Sequence, residues 1–298
     1  MPSPLKHFLN PLVAAIILLP LLMAAASWNP ARAQGTSAGW QGTEDASARL
    51  FTGQTQLDAM GRIWLGVEIK LAPGWKTYWR NPGESGAPPR FDWQGSQNLD
   101  RVEVRWPAPH RFSSFGFDSF GYDDGVVLPV LLRAAAPGQP LRARLNLDYM
   151  VCKNICVPMQ AKFDLDLPAG STATKSAAPV VNARTSLIKE SLALVPTSAA
   201  QAGLRIDSAV VRGPAGGQIL RIRATAQRPF TTPDLMVEAP EPFGFGRPEV
   251  TLGRGGHDVT LDLVVYAGTG KAALTDQALI LTLVDGGRAV ERQFALGQ

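Results

Sequence analysis

The sequence predicts an all-β protein of two antiparallel β-sandwich domains joined by a linker, on three observations. Short alternations of apolar and polar residues recur through the 298 residues, bounded by Gly and Pro. No βαβ pattern and no Gly-rich phosphate loop interrupts them. All seven tryptophans lie at or before Trp106, so the last third must build its own core from Val, Leu, Ile and Phe.

Residues 1–33 read as a signal peptide. Lys6 and His7 precede an apolar run from Leu12 to Ala26, and Ala31-Arg32-Ala33 supplies a small-x-small cleavage pattern. The run is broken by Pro20 and falls short of the roughly 20 residues a membrane helix needs, so an exported soluble product is expected over an uncleaved anchor. Its removal lowers the formal charge from +4 to +2, because residues 1–33 carry Lys6 and Arg32 and no acid. A near-neutral chain without a basic run makes nucleic acid an improbable partner.

The first sandwich is read over residues 34–168. Strands are expected at 48–58, 62–71, 102–104 and 126–132, with Pro129 marking an edge or a bulge. Residues 169–200 form the linker: a small-residue stretch near 168–184, then one short helix within 180–195 carried by Val181, Leu187, Ile188, Leu192 and Leu194. The second sandwich, 201–298, has strands at 219–224, 234–238, 259–265 and 279–283.

The most regular stretch surrounds the only two cysteines. Leu141 to Val151 and Val157 to Leu167 each alternate with period two, and Lys153-Asn154-Ile155 joins them, which predicts a hairpin with Asn154 able to take a left-handed turn conformation. By parity Cys152 shares a face with Arg144, Asn146 and Asp148, and Cys156 with Gln160, Lys162 and Asp164. Both thiols then point away from the core from opposed strand ends, roughly 4.5–5.5 Å apart at Cα, within disulfide range. So small a ring adds only about 2 kcal/mol of stability, making a poor staple and an accessible redox pair.

Other chemistries are poorly supplied. Beyond residue 33 there are two histidines, His110 and His257, in different halves, which disfavours a zinc site or a Ser-His-Asp arrangement; His110 reads as a loop residue. Asp123-Asp124-Gly125 reads as a solvated turn. No cofactor is expected beyond the cysteines. A purely structural disulfide is one reading. A thioredoxin-type site is disfavoured, since that site uses two intervening residues at a helix start and this pair has three, between strands. A second functional reading is Cu(I) binding in copper tolerance: Met150, Cys152 and Cys156 offer soft ligands, with Met159 facing the core. The stretch from Phe112 to Phe120 holds four phenylalanines without period two and reads as an apolar lid, hinged at Gly116 and Gly121.

Several separated motifs occur in order: Trp75 to Gly86 (WKTYWRNPGESG), Trp106 to Pro109 (WPAP), Phe120-Gly121-Tyr122, Val127 to Val130 (VLPV) and Cys152 to Pro158 (CKNICVP). Over most of residues 40–168 they resemble the N-terminal periplasmic region of DsbD/ScsB-type thiol:disulfide interchange proteins. Pro229-Phe230, Phe243 to Gly246 and Leu283 to Gly286 are similar to the second sandwich of ScsB-like members. The resemblance implies immunoglobulin-like sandwiches, a periplasmic location and a redox-active Cys152–Cys156 pair. It implies a membrane-embedded DsbD/CcdA-like electron donor, and thioredoxin-like or other periplasmic clients. Mixed disulfides would form at Cys156, and Phe115 would cap the site, with Phe117 and Phe120 as alternatives. Tyr78 matches a tyrosine near the site, and Tyr149 is placed beside it. This chain departs from the family in having Ser113 and Ser114 before the cap, where members carry acids, and a shorter cysteine spacing. The membrane and thioredoxin-like domains of longer relatives are expected from other chains.

Overall fold

The computed structural model describes residues 37–114, 116–170, 184–266, 273–275 and 277–296. The export signal read over 1–33, the linker from 171 to 183 and Phe115 lie outside the described residues.

Eleven strands build the first sandwich: β1 (Gln41–Gly42), β2 (Ala46–Thr52), β3 (Arg62–Leu71), β4 (Lys76–Gly83), β5 (Arg90–Asp92), β6 (Leu99–Val104), β7 (His110–Ser114), β8 (Phe117–Asp123), β9 (Val126–Ala134), β10 (Leu141–Cys152) and β11 (Cys156–Leu167). One sheet runs β1-β2-β3-β9-β6; the other runs β11-β10-β4-β8-β7, with β5 also on β10. Every pairing is antiparallel. Between the sheets lies one apolar core, from Leu50, Leu65 and Val67 on one side to Trp79, Leu145, Leu147 and Phe163 on the other.

Helix α1 (Thr185–Ala193) packs Ile188 inward, and its Ser191 Oγ donates to the Val127 carbonyl. After α2 (Ala199–Ala202) come β12 (Leu204–Arg212), β13 (Ile219–Ala226), β14 (Pro233–Glu238), β15 (Gly244–Phe245), β16 (Glu249–Leu252), β17 (Asp258–Tyr266), β18 (Ala278–Asp285) and β19 (Arg288–Ala295). They form a sheet of β12-β13-β17-β15, with β16 also on β17, and a sheet of β14-β18-β19. The second core is aliphatic, with Phe230 its one buried aromatic. Among the described residues no helix is long and apolar enough to cross a membrane.

Three local expectations are corrected. Pro129 is no edge marker: β9 lies between β3 and β6, and Pro129 faces Gly66. Its carbonyl accepts from the Arg105 N–H at 2.7 Å, so its missing donor falls where β6 has just ended and no ladder bond is lost. The first strand stops at Thr52 rather than running on to residue 58. In the Phe112 to Phe120 stretch, the described residues on either side of 115 belong to two paired strands, β7 and β8, in register from His110↔Gly121 to Ser114↔Phe117, rather than to an irregular lid.

Candidate redox site at the tip of the β10–β11 hairpin

The β10–β11 hairpin forms in the expected register, from Leu141↔Leu167 to Cys152↔Cys156, without a bulge. That register opposes the two cysteines, and they are bonded to each other with Cα atoms 4.2 Å apart. Asn154 is not in the left-handed region; among the described non-glycine residues only Asn98 and Asp124 are. Lys153 donates Nζ to the Pro73 carbonyl at 3.2 Å, tying the hairpin tip to the turn before β4.

The two sulfurs meet different surroundings. Parity does put both on the outer face of the sheet, yet Cys152 is only 2% exposed. A second apolar layer covers it: Tyr78 from β4, Phe112 from β7 and partly Met150 from β10. The register explains why these side chains converge. Val151 pairs with Thr77, Thr77 with Tyr122, and Tyr78 with Gly121, which pairs with His110. Cys152, Lys76, Tyr78, His110 and Phe112 therefore share the outer face. Cys156, across the hairpin, is exposed, as is Ile155 before it at 64%.

Tyr78 is the polar member of the cover. Its hydroxyl donates to Cys152 Sγ at 2.9 Å and lies 3.7 Å from Cys156 Sγ. The ring is held on two sides. Phe112 lies 5.9 Å away in a tilted pair. On another side is Gly86, at φ +92°, where any Cβ would fall 2.1 Å from the ring. The run Trp75 to Gly86 thus encodes one device: a strand that delivers Tyr78, then a turn whose glycine makes room for its ring. Lys76 Nζ lies 5.7 Å over the Phe112 ring. His110 begins β7 rather than sitting in a loop, and its Nε2 lies 3.4 Å from Asp123 Oδ1.

Of the residues singled out in the sequence, Cys152, Cys156, Tyr78 and Met150 are brought together. Tyr149 is not. It points into the main core on the opposite face of β10, and burial pushes its phenol up to about 12. Phe120 also faces that core and Phe117 is 53% exposed, so neither covers the disulfide. Phe112 does, and sequence reasoning passed over it. The signal that locates it is the pairing of the two strands, which places residue 112 on the face of Tyr78. Among the described residues no group of three or more His, Cys, Asp and Glu side chains is placed to hold a metal ion.

The family model described as "Thiol:disulfide interchange protein DsbD, N-terminal" matches residues 48–168. The N-terminal periplasmic domain of ScsB from Proteus mirabilis superposes with a TM-score of 0.70 at 25% identity, over 88% of this chain and 99% of that one, so the likeness spans both sandwiches. The first sandwich is a DsbD/ScsB-type N-terminal domain. Residues 194–298 match a domain of unknown function, DUF8393. Bovine butyrophilin aligns at 10% identity over 80% of this chain and 93% of that one, with a TM-score of 0.21, too low to bear on the fold. No curated protein matches the sequence.

Proposed function

We propose that this protein is a periplasmic thiol:disulfide interchange module that passes reducing equivalents from a membrane-embedded, DsbD/CcdA-like donor to exported clients through Cys152 and Cys156. The observation that carries the reading is the asymmetry of the pair, one sulfur exposed at a hairpin tip and the other buried under Tyr78 and Phe112. A donor thiolate attacks exposed Cys156 Sγ, the Cys152–Cys156 bond breaks, and the electron pair leaves on Cys152 Sγ. The Tyr78 hydroxyl, 2.9 Å away, donates to that sulfur as negative charge develops on it. The donor's second thiol then displaces Cys156 from the mixed disulfide, and the module is left as a dithiol. Toward a client the same steps run in reverse: Cys156 attacks the client disulfide, and Cys152 resolves the mixed bond to regenerate Cys152–Cys156.

Trapping tests this assignment. Cys152→Ala should accumulate a mixed disulfide with a thioredoxin-like partner, and Cys156→Ala should accumulate little; equal trapping, or none, would remove the assigned roles. A second reading, Cu(I) binding by the reduced protein, is favoured only by Met150 packing beside Cys152. It predicts stoichiometric copper uptake that Met150→Ala weakens.

A further inference from the structure

We infer that the second sandwich is a clamp that holds the β7–β8 hairpin over Cys152, with Arg111 as its positioning residue. The inference rests on the interchange reading for its consequence, while the contact itself is independent of that reading.

β7 is the edge strand of its sheet. Among the described residues no strand of the first sandwich pairs with its outer edge, next to Phe112, its third residue. The support comes from β14. Leu235 and Val237 turn into the second core, while Asp234, Met236 and Glu238 alternate onto the first sandwich. Arg111, adjacent to Phe112, is 6% exposed and grips Asp234 with both Nε (3.0 Å) and Nη2 (2.9 Å). Nη2 also donates to the Leu235 carbonyl at 2.9 Å. Its third nitrogen, Nη1, reaches Asp118 of β8 at 3.1 Å, so one guanidinium bridges both hairpin strands and the second sandwich. Asp118 is held a second time from that side by Arg247 Nη2 at 2.6 Å. Below, Met236 is fully buried against the first core, and Arg80 of β4 meets Glu238 at 2.6 Å and also pairs with Glu291. The hairpin joins the rest of its sheet through β8 alone, so β7 hangs from a single neighbouring strand. Here its ends are fixed by charge-assisted bonds from a separate domain. Releasing them frees the cover of Cys152 while leaving Cys156, already exposed, as it is. The second sandwich thereby sets how far the buried sulfur is open to reagents and partners.

The test uses the reduced full-length protein and follows iodoacetamide labelling of each cysteine by peptide mass spectrometry. Asp234→Ala removes a bidentate partner and should speed labelling of Cys152 about tenfold, the worth of a charged hydrogen bond, with Cys156 unchanged. Arg247→Ala, at a side chain 64% exposed, should give about threefold. Should Asp234→Ala fail to fold, Arg247→Ala decides alone. Unchanged Cys152 labelling in folded variants would overturn the clamp, and so would equal acceleration of both cysteines, which reports general loosening. Failure of the interchange reading is seen separately, in the redox potential of the unsubstituted protein.

Discussion

One hydroxyl and two rings make the two sulfurs unequal: Cys152 is buried and Cys156 is exposed. Tyr78 donates to Cys152 Sγ and is itself held by Gly86 and Phe112. In the reduced protein that hydrogen bond favours the thiolate over the thiol. Tyr78→Phe should therefore move the pH dependence of Cys152 alkylation to higher pH. Tyr149→Phe should do nothing to that profile. Its hydroxyl is buried with no hydrogen-bond partner, so removing it should leave thermal stability unchanged or higher. The parity of the two strands was enough to place both sulfurs on the outer face. It was blind to the burial of Cys152, because the covering side chains come from β4 and β7, some 70 and 40 residues earlier in the chain.

Two hairpins meet at the site, and they were unequally legible for one physical reason. β10 and β11 each have one covered face and one wet face, so their alternation survives and gives the register residue by residue. β4 and β8 are covered on both faces where they pass the disulfide: Thr77, Tyr78 and Trp79 are all buried, as are Ser119 to Tyr122. A strand buried on both faces loses its period of two, and the Phe112 to Phe120 run then passes for an irregular lid. Phe112→Ala should separate cover from core. It should destabilise the protein by about 3 kcal/mol in denaturant titration. In the same variant Cys152 labelling should rise while Cys156 labelling does not, which a purely structural role for the ring would not produce.

At the scale of the molecule, the two-sandwich architecture was legible from strand spacing and from the confinement of tryptophan to the first part. The bond between the sandwiches was not, because one apolar residue, Met236, between Asp234 and Glu238 is the only mark of it on that face of β14, and the sequence does not say that the solvent there is another domain. Charge at that contact makes it sensitive to acid. The Asp118 carboxyl is held below its ordinary 3.8, chiefly by the hydrogen bond from Arg247, with burial opposing and the Arg111 charge adding to the lowering. A depressed folded-state pKa contributes stability that is full above the ordinary value and is lost as pH falls through the lowered one. The melting temperature should therefore fall as the pH drops below the ordinary carboxylate value, and Asp118→Asn should flatten that part of the acid limb.

The central claim is that Cys152–Cys156 exchanges rather than staples, and its equilibrium redox potential tests that most directly. Titrated in glutathione and dithiothreitol, the pair should equilibrate at about −200 to −270 mV, within reach of thioredoxin-like proteins, while the fold stays intact. A bond that stays closed below about −300 mV, and yields only as the protein unfolds, would make the pair a structural crosslink and contradict the account.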